Sequence, residues 1–179
     1  GPGWTIEAVT TPGHTSNHLC FELVEQRTLF TGDHIMGWST TVVAPPDGDM
    51  RAYIESLRKV AARGDAVLVP THGAPVSDPQ PFVAALVQHR LDREAQIVAA
   101  VRGGTSSVHD MVVALYADVR PQLYRAAARS VRAHLAKAAQ VLGATLQLEG
   151  PLSGGLAGRL VLADGEELQL KEGASRLLA

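Results

Sequence analysis

The chain has 179 residues, 46% of them hydrophobic and 19% charged, with a formal net charge of −2. That balance fits folded globular material, excludes a chain dominated by disorder, and gives no whole-molecule reason to expect nucleic-acid binding, so the placement of arginine matters more than its total. A single cysteine, Cys20, rules out an internal disulfide framework, and no run approaches the roughly 18 apolar residues of a membrane span. With no signal-peptide pattern after Gly1-Pro2-Gly3 and no membrane partner implied, a soluble cytoplasmic protein with Cys20 in its core is expected.

Trp4 to Thr10 is rich in Thr, Ile and Val and reads as a strand that stops at Pro12-Gly13. His18 to Val24 and Thr28 to Phe30 read as a hairpin around Glu25-Gln26-Arg27. Apolar residues at helical spacing (Tyr53, Ile54, Leu57, Val60) predict a helix from Met50 to Arg63, with Asp47 or Asp49 as N-cap and Gly64 as stop. Ala66 to Val69 is a short buried strand. Asp78-Pro79 starts a long helix that runs without a breaker to Gly103-Gly104. Beyond that pair, Ser106 or Ser107 caps a short helix through Tyr116, and Pro121 opens a longer one through Leu142. Thr145 to Leu148, Gly158 to Ala163 and Glu166 to Lys171 follow as strands, the last two joined by Asp164-Gly165, a dipeptide suited to a tight hairpin turn. The order helix, helix, helix, β-ribbon is that of a winged helix.

Three metal-capable residues stand in Gly- or Pro-bearing loops at strand ends: His14 after Gly13, Asp33 after Gly32, and His72 before Gly73. Imidazole with carboxylate suits zinc, manganese or iron better than magnesium or calcium. His18, four positions after His14, is placed to orient a ligand or to pack at a strand edge. His34 adjoins Asp33 and is not assigned as a ligand. Trp38 and Thr40-Thr41 are read as loop packing in preference to a substrate cleft, and His89, His109 and His134 as packing or surface residues of helices.

These segments resemble the metallo-β-lactamase superfamily of hydrolases. Thr11-Pro12-Gly13-His14-Thr15 is similar to its third metal motif, Thr31-Gly32-Asp33-His34 to its bridging-aspartate motif, and Thr71-His72-Gly73 to its last histidine motif. The likeness continues through Gln88-His89-Arg90-Leu91-Asp92-Arg93-Glu94 and looks like the subgroup with a C-terminal winged helix, which includes endoribonucleases. It covers about residues 5 to 148, and 149 to 179 read as an extension.

The resemblance implies an α/β (α+β) chain. Residues 1–80 would form the second half of an αββα sandwich, 81–102 a bridging helix, and 103–179 a winged-helix domain with a β-rich tail. It also implies two zinc ions bridged by Asp33, with His14 completing one site and His72 the other. Asp33 is then the catalytic carboxylate of a hydrolase acting on an ester, a thioester or RNA. The family's remaining ligands come from a His-x-His-x-Asp-His motif that these residues do not contain. The expectation is therefore a C-terminal portion, inactive alone, whose partner is the missing N-terminal half-domain and whose bare sheet face favours homo-oligomers. The competing expectation is a non-enzymatic winged-helix module that binds nucleic acid or protein.

Between Val119 and Leu148 there is no acidic residue, while Arg125, Arg129 and Arg132 recur at spacings that share one helix face. A basic face on the third helix of a winged helix is a place where such folds contact a nucleic-acid backbone.

Overall fold

The computed structural model describes residues 1–105, 107–141, 145–149, 157–161 and 167–170. The architecture is mixed α/β, and the chain divides into two compact units, Gly1–Leu91 and Asp92–Ala179.

The first unit contains β1 (Ile6–Thr10), β2 (Leu19–Leu23), β3 (Thr28–Gly32), α1 (Met50–Ala61) and β4 (Val67–Pro70). The sheet order is β1-β2-β3-β4. The first two pairings are antiparallel and β3 pairs with β4 in parallel. β1, β3 and β4 therefore run the same way. Their C-terminal ends and the start of β2 lie at one edge of the sheet.

Side chains alternate across a strand, so the register sorts them onto two faces. Val9, Cys20, Leu29 and Leu68 are buried on one, with Val9 opposite Cys20 and Leu29 opposite Leu68. The other face presents Ile6, Leu19, Phe21 and Phe30, each 40–44% exposed. Ala8, Thr10, Leu23, Thr28, Val67 and Val69 share that face by register, and none of these residues is charged.

α1 buries Tyr53, Ile54, Leu57 and Val60, the apolar stripe read from the sequence, together with Met50. Its cap is Asp49, whose carboxylate accepts from the Ala52 amide at 2.8 Å. Asp47 instead accepts from the Ser16 amide and hydroxyl. The helix ends at Ala61, short of the expected Arg63, because the chain tightens there: the Arg63 amide donates to Val60. The hairpin turn is also tighter than expected. Val24–Gln26 form one 3₁₀ turn closed by Arg27 at φ 47°.

α2 (Pro79–Arg102) is continuous, as the unbroken pattern predicted, and the division between the units falls within it. In the second unit, α3 (Val108–Leu115) is capped by Ser107, which accepts from the Asp110 amide at 3.0 Å. One 3₁₀ turn, Pro121–Leu123, precedes α4 (Tyr124–Val141). Ile97, Val101, Met111, Val112, Val131 and Leu135 are core residues of this unit. β5 (Thr145–Glu149), β6 (Ala157–Val161) and β7 (Glu167–Leu170) form an antiparallel sheet in sequence order. The Asp164-Gly165 turn and residues 150–156 lie outside the described residues.

On α4, Arg125 and Arg129 are exposed while Arg132 is half-buried. Burial, and then the neighbouring Arg129, lower the Arg132 pKa. Lys137 donates to both carboxylate oxygens of Glu94 at 2.6 Å, so its charge is paired within the unit. No helix among the described residues is long and apolar enough to cross a membrane.

Candidate metal centre

Shared strand direction brings the three motif loops to one edge of the sheet. His14 follows β1, Asp33 follows β3 and His72 follows β4, while His18 immediately precedes β2. The carboxyl edge of strands running together is where open α/β sheets present their ligand-binding loops.

The His14 loop is fixed from both sides. Gly13 has φ 135°, a conformation that disfavours any side chain, and a Cβ there would overlap the Tyr53 backbone. Its carbonyl accepts from the Asp49 amide at 2.9 Å, and the Pro12 carbonyl accepts from the Ser56 hydroxyl at 2.8 Å. His14 Nδ1 lies 2.7 Å from the Val42 carbonyl. A carbonyl only accepts, so Nδ1 carries a proton, and in the neutral ring the lone pair is then on Nε2, the tautomer a metal ligand requires.

Asp33 and His34 sit in a turn just past β3. The Thr41 hydroxyl donates to the Asp33 carbonyl at 2.5 Å and lies 3.1 Å from that of His34, and the Tyr53 hydroxyl donates to the His34 carbonyl at 2.9 Å. Arg90, itself buried, donates to the Thr41 carbonyl and lies over the Tyr53 ring. These contacts aim the Asp33 carboxylate. Its Oδ1 is shielded from solvent and has no hydrogen-bond partner, and it stands 3.6 Å from His72 Nε2.

That separation is too long for a hydrogen bond. It is close to the distance between two donors on one tetrahedral zinc, about 3.4 Å for bonds of about 2.0–2.1 Å. With the free Nε2 of His14, the nitrogen and oxygen donors present fit a divalent cation. They do not enclose one: among the described residues no three of His, Cys, Asp and Glu are gathered closely enough to hold a metal.

His18 lies between the ligand candidates and the core. Its Nδ1 is 2.8 Å from the Thr11 hydroxyl, and its Nε2 is 3.0 Å from where a Gly32 Cβ would stand, so Gly32 makes room for the ring. Burial lowers its pKa, His14 adds to that, and Asp33 opposes it. The rings of His14, His18, His34 and Tyr53 follow one another with centroids 6.1, 5.7 and 5.0 Å apart. His34 is fully buried, and burial first, then His18 and His14, push its pKa down to about 3. It packs as a neutral ring.

Thr41, Arg90, Tyr53 and the Val42 carbonyl form the support that sequence reading did not identify. A backbone acceptor has no sequence signature. Arg90 lay within a segment singled out only for its resemblance. Trp38 departs from the expected loop packing, being 76% exposed, whereas Thr41 is buried. Of the helical histidines, His89 is exposed, His109 half-buried and His134 fully buried.

Residues 1–72 match the metallo-beta-lactamase superfamily and residues 107–140 the beta-lactamase associated winged helix domain. The chain is 38% identical over 100 residues to an atrochrysone carboxyl ACP thioesterase of Aspergillus fumigatus, a match covering 56% of this chain and 30% of that protein. It is 33% identical over 135 residues to the lactamase-like protein nscB of Arthroderma benhamiae, covering 68% and 30% respectively. The chain thus spans about a third of the length of these relatives. Among solved structures, a metallo-beta-lactamase family protein of Thermus thermophilus superposes with a TM-score of 0.69 at 23% identity over 84% of this chain and 48% of that one. A beta-lactamase domain protein from Burkholderia ambifaria gives 0.71 at 20% identity over 96% and 49%. At these identities the likeness is one of fold. The chain therefore belongs to the metallo-beta-lactamase superfamily through residues 1–72 and carries the superfamily's associated winged helix in residues 107–140.

Proposed function

We propose that this chain supplies one side of the active centre of a metal-dependent hydrolase that cleaves acyl thioesters. The observation that carries the reading is the solvent-shielded, unpartnered Asp33 Oδ1 at 3.6 Å from His72 Nε2, at the sheet edge that also carries His14, whose tautomer is fixed by Val42. The preference for a thioester over an ester or RNA rests on relatives named as ACP thioesterases. A zinc pair held there would supply Lewis acidity and lower the pKa of a bound water to about 7. The chain's own part is to bring His14, Asp33 and His72 to one edge of the sheet, to keep the Asp33 carboxylate free of competing hydrogen bonds, and to fix the backbone at Asp33 and His34 through Thr41 and Tyr53.

The remaining ligands are assigned to a half-domain bearing a His-x-His-x-Asp-His motif. The uncharged sheet face around Phe21 and Phe30 supports that partner, because a second sheet packed face to face would cover it. The test measures metal content and thiol release from a simple acyl thioester, for the chain alone and with such a half-domain. Alone, the chain should hold less than one equivalent of zinc and show no turnover above background. The completed protein should turn over, and Asp33→Ala or chelation should cost at least about a hundredfold, since loss of a mere supporting residue around a metal already costs 10–100-fold. Turnover that survives both treatments would sink the metal-dependent reading. A completed protein that is metal-free and inert points to a binding module instead.

A further inference from the structure

The loop from Asp33 to Thr41 is closed at its base and tied near its tip. At the base the Thr41 hydroxyl holds the Asp33 carbonyl. Near the tip the Gly37 amide donates to the carbonyl of His72 at 2.8 Å. The two backbones meet so closely that a Cβ at Gly37 would overlap Ala74, and one at Gly73 would lie 2.8 Å from Gly37 backbone atoms. Ile35 and Val43 anchor the flanks at zero exposure.

Next to this tie stands Trp38, at 76% the most exposed large hydrophobic side chain among the described residues. The loop around it is pinned, so the exposure is not that of a frayed end. Residues 35–43 carry no charged side chain, so this rim has nothing to recognise an ionic group. Loops braced by a rigid scaffold are where binding residues concentrate. The largest apolar side chain thus stands in water one residue from a backbone bonded to His72, a flat apolar surface beside the His72 loop.

We propose that Trp38 determines specificity at this centre: its indole face receives a neutral, planar π-bearing acyl group of a thioester whose scissile bond lies at the centre to which Asp33 and His72 belong. The inference rests on the thioester-hydrolase reading and names the acyl class within it. An indole face favours offset stacking on another π system over contact with a saturated chain of similar area. The resulting preference is about five- to tenfold in affinity.

Binding can be read without turnover. In a Trp4→Phe background Trp38 is the sole indole. Two hydrolysis-resistant pantetheine thioethers are titrated, one bearing naphthylmethyl and one octyl. Saturable quenching of Trp38 by the naphthyl ether is expected, with about five- to tenfold tighter binding than the octyl ether. In Trp38→Ala, followed through naphthyl anisotropy, that preference should vanish, and Trp38→Phe should restore part of it. Absence of saturable quenching, an equal affinity for both ethers, or undiminished naphthyl preference in Trp38→Ala would each overturn the proposal. Failure of the underlying reading looks different: the completed protein would release no thiol from any acyl thioester while Trp38 quenching persisted.

Discussion

Cys20 has zero exposure, with its sulfur 3.2 Å from the Thr11 hydroxyl and donating to the Thr31 carbonyl at 3.6 Å. Burial pushes its pKa from 9.0 up to about 11. Because the folded value is the higher one, the stabilisation is complete below pH 9 and is lost as pH rises toward 11. The expected loss is about 1.4 kcal/mol by pH 10. Urea midpoints between pH 7 and pH 10.5 should show this fall in the parent, and the Cys20→Ala variant, though weaker at pH 7 from its cavity, should lack that component. Equal alkaline slopes would contradict the assignment. The core position of Cys20 was legible from its apolar run, as the motif residues were from their Gly- and Pro-bearing loops. The tautomer of His14 was not, because it depends on the Val42 carbonyl, 28 residues away.

α1 acts as a brace for the first motif loop. Asp49 caps the helix through its carboxylate and holds Gly13 through its amide, so one residue joins the helix start to the turn that presents His14. Replacing it by alanine should cost about 1 kcal/mol. For a unit of this size that is a fall in Tm of roughly 4–8 °C by differential scanning calorimetry. Asp47→Ala, which removes only the exposed Ser16 contacts, should shift Tm less; a reversed ranking would show that Asp47 is the true cap. The sequence left these two aspartates open, since both precede the helix at plausible spacing. The choice falls to Asp49 because Ser16 engages Asp47 across the loop, a long-range contact that no local pattern records. Helix stripes and strand alternation were readable for the same reason in reverse, since both are local.

Across the first unit, the apolar, uncharged sheet face is the largest consequence of the architecture. Phe21 and Phe30 are cross-strand partners at its centre. An uncovered face of this kind favours self-association. Sedimentation velocity should show concentration-dependent oligomers of the chain alone and a shift toward monomer in the Phe21→Lys, Phe30→Lys double variant. A parent that remains monomeric at every concentration would remove the argument. The expectation of a second layer came from the family motifs, and the identity of the bare face came only with the register, because one step of slippage would exchange the two faces.

The common direction of β1, β3 and β4 has one more result. Every motif residue, His14, His18, Asp33 and His72, leaves the sheet at the same edge, while the opposite edge turns the chain at Glu25-Gln26-Arg27 and again at Arg63-Gly64-Asp65. Chemistry and connectivity are thus segregated to opposite ends of the strands. The exposed turn at Glu25–Arg27 is where the polypeptide can be opened, lengthened or given new termini while every loop that carries a candidate ligand stays covalently intact.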